Sequence, residues 1–122
     1  MARPARILLV DDDLDVRCSL AELLEEEGYE VVCAGDGEQA LRELASPAAP
    51  NAILLDLTMP VMDGWTFRDR QRRDPRLASI PTIVISASHA PDLKALELLH
   101  ADAVLPKPFD LERLVETLDR VC

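Results

Sequence analysis

The sequence predicts an α/β protein, a doubly wound parallel sheet of five strands with helices packed on both faces. Four aliphatic runs carry most of that reading, each closing on a polar residue. Ile7-Leu8-Leu9-Val10 precedes Asp11-Asp12, Ala52-Ile53-Leu54-Leu55 precedes Asp56, Thr82-Ile83-Val84-Ile85 precedes Ser86, and Ala103-Val104-Leu105-Pro106 precedes Lys107. Short apolar runs without alternation read as strands buried on both faces. Segments of helical length and period separate them, which is the connection parallel strands require. At 122 residues, 48% of them hydrophobic, the chain has the material for one domain with its own core.

Taken in order, a first strand over about Arg6 to Val10 leads to a helix from about Leu14 to Glu27. Val16, Leu20, Leu23 and Leu24 give that helix its apolar spacing, Asp13 is its cap, and Gly28 ends it in the left-handed conformation. Tyr29 to Ala34 is the second strand, and Gly35-Asp36-Gly37 turns into a helix carrying Ala40, Leu41 and Leu44, with Asp36 as N-cap. The third strand ends at Asp56, and a loop over Met59 to Gly64 leads to a helix near Trp65 to Arg73. A fourth helix is expected over Pro91 to Leu99. After the last strand, Asp110 caps a helix with Leu111, Leu114, Val115, Leu118 and Val121 inward. Residues 1–122 read as a single domain with no output domain, and a stand-alone protein is the favoured arrangement.

Composition excludes several functions. A net charge of −10 argues against direct nucleic-acid binding, which needs a basic surface. The basic cluster Arg68-Asp69-Arg70-Gln71-Arg72-Arg73 reads as the solvated side of a helix. No run is long enough to span a bilayer, and the amino terminus lacks a signal-peptide core, so no membrane insertion and a cytoplasmic location are expected. Cys18, Cys33 and Cys122 show no metal-ligand spacing; Cys18 and Cys33 read as small, buried or half-buried hydrophobes. His89 and His100 read as surface or loop residues.

In an open parallel sheet the carboxyl ends of the strands share one edge, where ligands bind. Asp11, Asp12, Asp56, Ser86 and Lys107 should therefore converge. Two unit charges 4 Å apart repel by about 4 kcal/mol at an effective dielectric near 20, so such a carboxylate cluster calls for a cation. Oxygen-only ligands suit Mg²⁺, which accepts a few carboxylates and a phosphate oxygen while keeping waters. Beside Mg²⁺, Asp56 can act as a nucleophile toward phosphorus. Lys107 supplies a point charge to the phosphoryl oxygens, Ser86 offers a hydroxyl, and Ala87 leaves space beside it.

As a set, Val10-Asp11-Asp12, Asp56 to Gly64, Ser86-Ala87 and Lys107-Pro108-Phe109 resemble the receiver domain of two-component response regulators over essentially the whole chain. The resemblance implies a flavodoxin-like fold with strand order 2-1-3-4-5. It implies that Asp56 is the phospho-acceptor, supplied by a histidine kinase or a histidine phosphotransfer protein. It further implies that Asp12, Asp56 and the carbonyl of Thr58 ligate Mg²⁺ directly and Asp11 through water. Ser86 would then be the switch hydroxyl and Lys107 the phosphoryl partner, with a cis Lys107–Pro108 peptide. The output would be a conformational switch read by an unknown downstream protein or output domain.

Three positions depart from the common pattern: Ser86 replaces the usual Thr, Val104 stands where an aromatic ring is frequent, and His100 where Gly often ends the fourth helix. In the family the positions of Thr58 and Ser88 shape the approach of water to the phosphoryl group, and their lack of an amide or carboxylate implies slower loss than in members that carry one. Few charges in Ala101 to Leu105 imply a monomer. The enzyme alternative is a phosphatase of the haloacid dehalogenase type, with Asp11 and Asp13 as its Asp-x-Asp pair; a further alternative is a pseudo-receiver that only mediates contacts.

Overall fold

The computed structural model describes residues 5–45, 49–56, 64–86, 102–106 and 110–121. Five parallel strands, β1 (Arg6–Val10), β2 (Glu30–Ala34), β3 (Ala52–Asp56), β4 (Thr82–Ser86) and β5 (Ala103–Pro106), form one sheet in the order β2-β1-β3-β4-β5. This is the flavodoxin-like order that the family resemblance implies. Helices α1 (Leu14–Glu26), α2 (Gly37–Leu44), α3 (Gly64–Arg73) and α4 (Leu111–Val121) are described, with α1 and α3 within a residue of their expected bounds. The helix expected over Pro91 to Leu99 lies outside the described residues, as do His89 and His100.

Strand side chains alternate between two cores because successive residues point to opposite faces. Leu8, Val10, Ile53 and Leu55 pack with Ala40 and Leu44 of α2 and Phe67 of α3. Ile7, Leu9, Leu54, Ile83 and Ile85 pack with Ala21 and Leu24 of α1 and Leu114 and Leu118 of α4. Both faces of the central strands are thus dry, which is why their runs are unbroken by polar residues.

The helix ends follow from capping chemistry. Asp13 Oδ1 accepts the Val16 N–H at 3.2 Å, Asp36 Oδ1 accepts the Gln39 N–H at 2.9 Å, and Asp110 Oδ1 accepts the Arg113 N–H at 2.8 Å. Gly28, with φ of 98°, donates to Glu25 O, and Tyr29 donates to Leu24 O. That pair of bonds is the Schellman arrangement, which needs a left-handed residue at this point. A Cβ on Gly28 would meet nothing within 4 Å, so conformation alone selects glycine there.

Three expectations are corrected. The inward stripe of α1 is Leu20, Ala21 and Leu24, whereas Val16 and Leu23 are exposed. Cys18 and Cys33 are free and exposed: Cys18 lies off that stripe, and Cys33 sits on β2, an edge strand with a neighbour on one side only. The arginine-rich helix is not simply solvated, because Arg68 and Gln71 are buried. Arg68 Nη1 donates to Gln71 Oε1 and to Thr82 Oγ1, both at 2.9 Å, and Gln71 Nε2 donates to Leu77 O at 3.1 Å. Arg70, Arg72 and Arg73 face outward as expected.

Candidate functional site

The register of the sheet assembles the site. Val10 pairs with Leu55, so Asp11 and Asp56, each one residue further on, leave the sheet side by side. Asp56 pairs with Ile85 and Ser86 with Pro106, which sets the end of β4 next along the same edge. Asp11, Asp12 and Asp56 each contribute a carboxylate oxygen to a cluster whose members all lie within 4.8 Å of one another. Asp11 is 1% exposed and Asp56 is 7% exposed, whereas Asp12 is open to solvent.

The surroundings of Asp11 account for nearly all its polar atoms. Its N–H donates to Ala34 O at 3.1 Å, and its carbonyl accepts Arg17 Nη1 at 2.8 Å. Oδ1 accepts the Asp13 N–H at 2.9 Å. Oδ2 is buried with no hydrogen-bond partner among the described residues. A buried carboxylate oxygen without a partner is costly, and a bound cation removes that cost. The donor set is oxygen only, with no sulfur or imidazole among the clustered groups, which is the chemistry of a hard divalent cation.

Among the residues named from sequence, Asp11, Asp12 and Asp56 are brought together, and Asp13 is a cap. The backbone of Ser86 ends β4 on the same edge. Thr58, Ala87, Lys107 and the Lys107–Pro108 bond lie outside the described residues, as do the side chains of Ser86 and Val104. Sequence reasoning missed Arg17 and Gly35. Arg17 stands three residues before Leu20 and four before Ala21, so it begins the inward stripe of α1. A guanidinium at that position was the available signal. Its Nη1 lies only 2.9 Å from where a Cβ on Gly35 would be.

The family model described as "Response regulator receiver domain" matches residues 7–119. The transcriptional regulatory protein PrrA of Mycobacterium tuberculosis is 42% identical over 111 residues, covering 90% of this chain and 46% of PrrA. The chain thus spans about half the length of that curated relative. Among solved structures, the Vibrio cholerae chemotaxis protein CheY4 superposes with a TM-score of 0.88 at 33% identity, covering 98% of this chain and 99% of CheY4. The signal receiver domain of a signal transduction histidine kinase from Syntrophus aciditrophicus gives 0.87 at 30% identity, covering 96% and 89%. With the sheet order, the clustered aspartates and these likenesses in agreement, the chain belongs to the response regulator receiver domain family.

Proposed function

We propose that Asp56 is the phospho-acceptor of a Mg²⁺-dependent phosphorelay step. The observation that carries the reading is the position of Asp56 at the end of β3, clustered with Asp11 and Asp12 beside the partnerless Oδ2 of Asp11. A carboxylate oxygen of Asp56 attacks phosphorus, the P–N bond of a phosphohistidine breaks, and the imidazole leaves with the electron pair. Bound Mg²⁺ supplies charge neutralisation to the phosphoryl oxygens. Asp11, Asp12, Asp56 and the Thr58 carbonyl would hold it. Lys107 pairs with the phosphoryl group, and Ser86, with Ala87 leaving room, donates its hydroxyl to it and so links acylphosphate formation to a population shift.

The donor is a histidine kinase or a histidine phosphotransfer protein, and the reader is a downstream protein or output domain. The chain acts as a monomeric, cytoplasmic signalling domain without direct nucleic-acid contact or substrate turnover. No helix among the described residues is long and apolar enough to cross a membrane. The phosphatase alternative loses its second aspartate, since Asp13 is occupied in capping α1. Incubation with acetyl phosphate and Mg²⁺ should add one phosphoryl group by intact mass, and Asp56→Asn or chelation should abolish it. Undiminished labelling of Asp56→Asn would sink the assignment.

A further inference from the structure

We infer that Arg17 is a positioning residue for the cation site, and that Gly35 lacks a side chain so that the Arg17 guanidinium can reach Asp11. The inference rests on the Mg²⁺ reading above and extends it to two residues outside the ligand set.

Asp11 and Asp12 are joined by one peptide, whose carbonyl belongs to Asp11. Arg17 Nη1 donates to that carbonyl at 2.8 Å across the first turns of α1. On the other side of the same residue, the Asp11 N–H is bound to Ala34 O at 3.1 Å. The backbone is therefore held from both sides, and among the described residues Oδ2 is the one polar atom of Asp11 without a partner. Rotating the peptide would swing Asp12, whose carboxylate leaves the chain on the far side of that bond. A charge-assisted hydrogen bond is shorter and stronger than a neutral one, so Arg17 restrains the rotation more than a neutral donor would.

Gly35 supplies the room. A Cβ there would lie 2.9 Å from Arg17 Nη1, while Gln39 Oε1 would be 3.5 Å away, an ordinary contact. Glycine is not demanded by a left-handed φ at this position, since Gly28 is the positive-φ glycine. The atom displaced by Gly35→Ala is the far end of the Arg17 side chain, so that substitution moves the guanidinium without altering Arg17 itself. Gly35 N–H donates to Gln39 Oε1 at 2.9 Å, which fixes the loop that meets the guanidinium.

The test is calorimetric titration of Mg²⁺ into wild type, Arg17→Met, Gly35→Ala and the double variant, with backbone amide spectra of each. Groups that orient metal ligands cost about tenfold or more in metal affinity when removed. Arg17→Met and Gly35→Ala should each weaken Mg²⁺ by about tenfold on that scale. The double variant should be no weaker than Arg17→Met alone, because Gly35→Ala has nothing left to displace. In both single variants the Asp12 amide resonance should move in the same direction, reporting loss of the bond to the Asp11 carbonyl. Gly35→Ala adds one methyl group to a loop, so it carries the test should Arg17→Met fold poorly. Unchanged or tighter Mg²⁺ binding by either single variant, or fully multiplicative losses in the double, overturns the inference while leaving the cation site standing. Wild type that binds no Mg²⁺ overturns both.

Discussion

The guanidinium of Arg68 and the hydroxyl of Thr82 lie 2.9 Å apart, both residues buried, at the amino end of β4. Thr82 N–H donates to Asp102 Oδ2 at 2.8 Å, and the Asp102 N–H donates back to Thr82 O at 2.9 Å. A helix, the start of β4 and the residue before β5 are thereby tied at the edge of the sheet opposite the aspartates. Burial pulls the Arg68 guanidinium below its usual range, and Asp102 opposes that shift. Arg68 nevertheless stays charged across the accessible pH range.

This network predicts a stability effect separate from the cation site. Arg68→Leu removes the 2.9 Å charge-assisted bonds to Gln71 Oε1 and Thr82 Oγ1, leaving these two oxygens, as acceptors, only the 3.4 Å bonds between the two side chains, and should cost about 2 kcal/mol in urea unfolding. Thr82→Val, which removes one neutral partner, should cost about 1 kcal/mol. Mg²⁺ affinity measured on the folded variants should match wild type.

The three consecutive aspartates should separate by role. Asp13→Ala removes the cap of α1 and should lower stability by about 1 kcal/mol with Mg²⁺ affinity retained. Asp12→Ala should do the reverse, losing Mg²⁺ while leaving α1 capped. Equal loss of Mg²⁺ in both variants, read by calorimetry, would contradict the division.

Removing the metal should be visible as stability. A ligand that binds only the folded state at 100 times its Kd adds about 2.7 kcal/mol by mass action. Thermal unfolding of wild type should thus move up with Mg²⁺ and down with chelator, and Asp56→Asn should respond much less. In chelator, Asp12→Asn should be at least as stable as wild type, since it relieves repulsion within the cluster.

Cys33 gives a pH-dependent readout. Desolvation by the groups packed around the thiol pushes its pKa up, with Arg17 opposing the rise and Cys18 and Glu25 adding to it. The folded state therefore holds the thiol proton more tightly than the unfolded chain. The raised pKa leaves stability unchanged below the ordinary thiol range and lowers it as pH climbs through that range. In a background of Cys18→Ser and Cys122→Ser, alkylation of Cys33 should show a midpoint above that of a free thiol. Arg17→Met should move the midpoint higher still; a downward move would show that Arg17 does not act on Cys33.

The strands and the aspartate edge were legible in the sequence because each depends on local pattern: an aliphatic run, then a carboxylate. Strand order entered only through the family likeness, since pairing of Val10 with Leu55 spans far more chain than any periodicity reports. Arg68 was misread for the same reason. Its burial depends on Thr82, fourteen residues away, while its neighbours Asp69, Arg70, Arg72 and Arg73 are the pattern of a wet helix. Val16 and Leu23 flank the true stripe of α1, where a shift of one position turns a side chain by about 100° and exposes it. Arg17 went unnoticed because the inward stripe of α1 was read from Val16 and Leu23 as well as Leu20 and Leu24, which hid that a guanidinium begins the true one.

The strand at the sheet margin has a bearing on handling of the protein as well as on its fold. β2 reads Glu30-Val31-Val32-Cys33-Ala34, and Glu30 is its one charge, held by Arg6 Nη2 at 2.6 Å. A bare strand margin is a template on which another chain can extend the sheet, and a single charge at its start is an inexpensive guard against that. Without Glu30 the segment would combine β-branched residues, low charge and no proline, the composition of a fibril-forming stretch. A carboxylate that contributes little to stability on a solvent-exposed surface thus stands where a charge most disfavours an added strand.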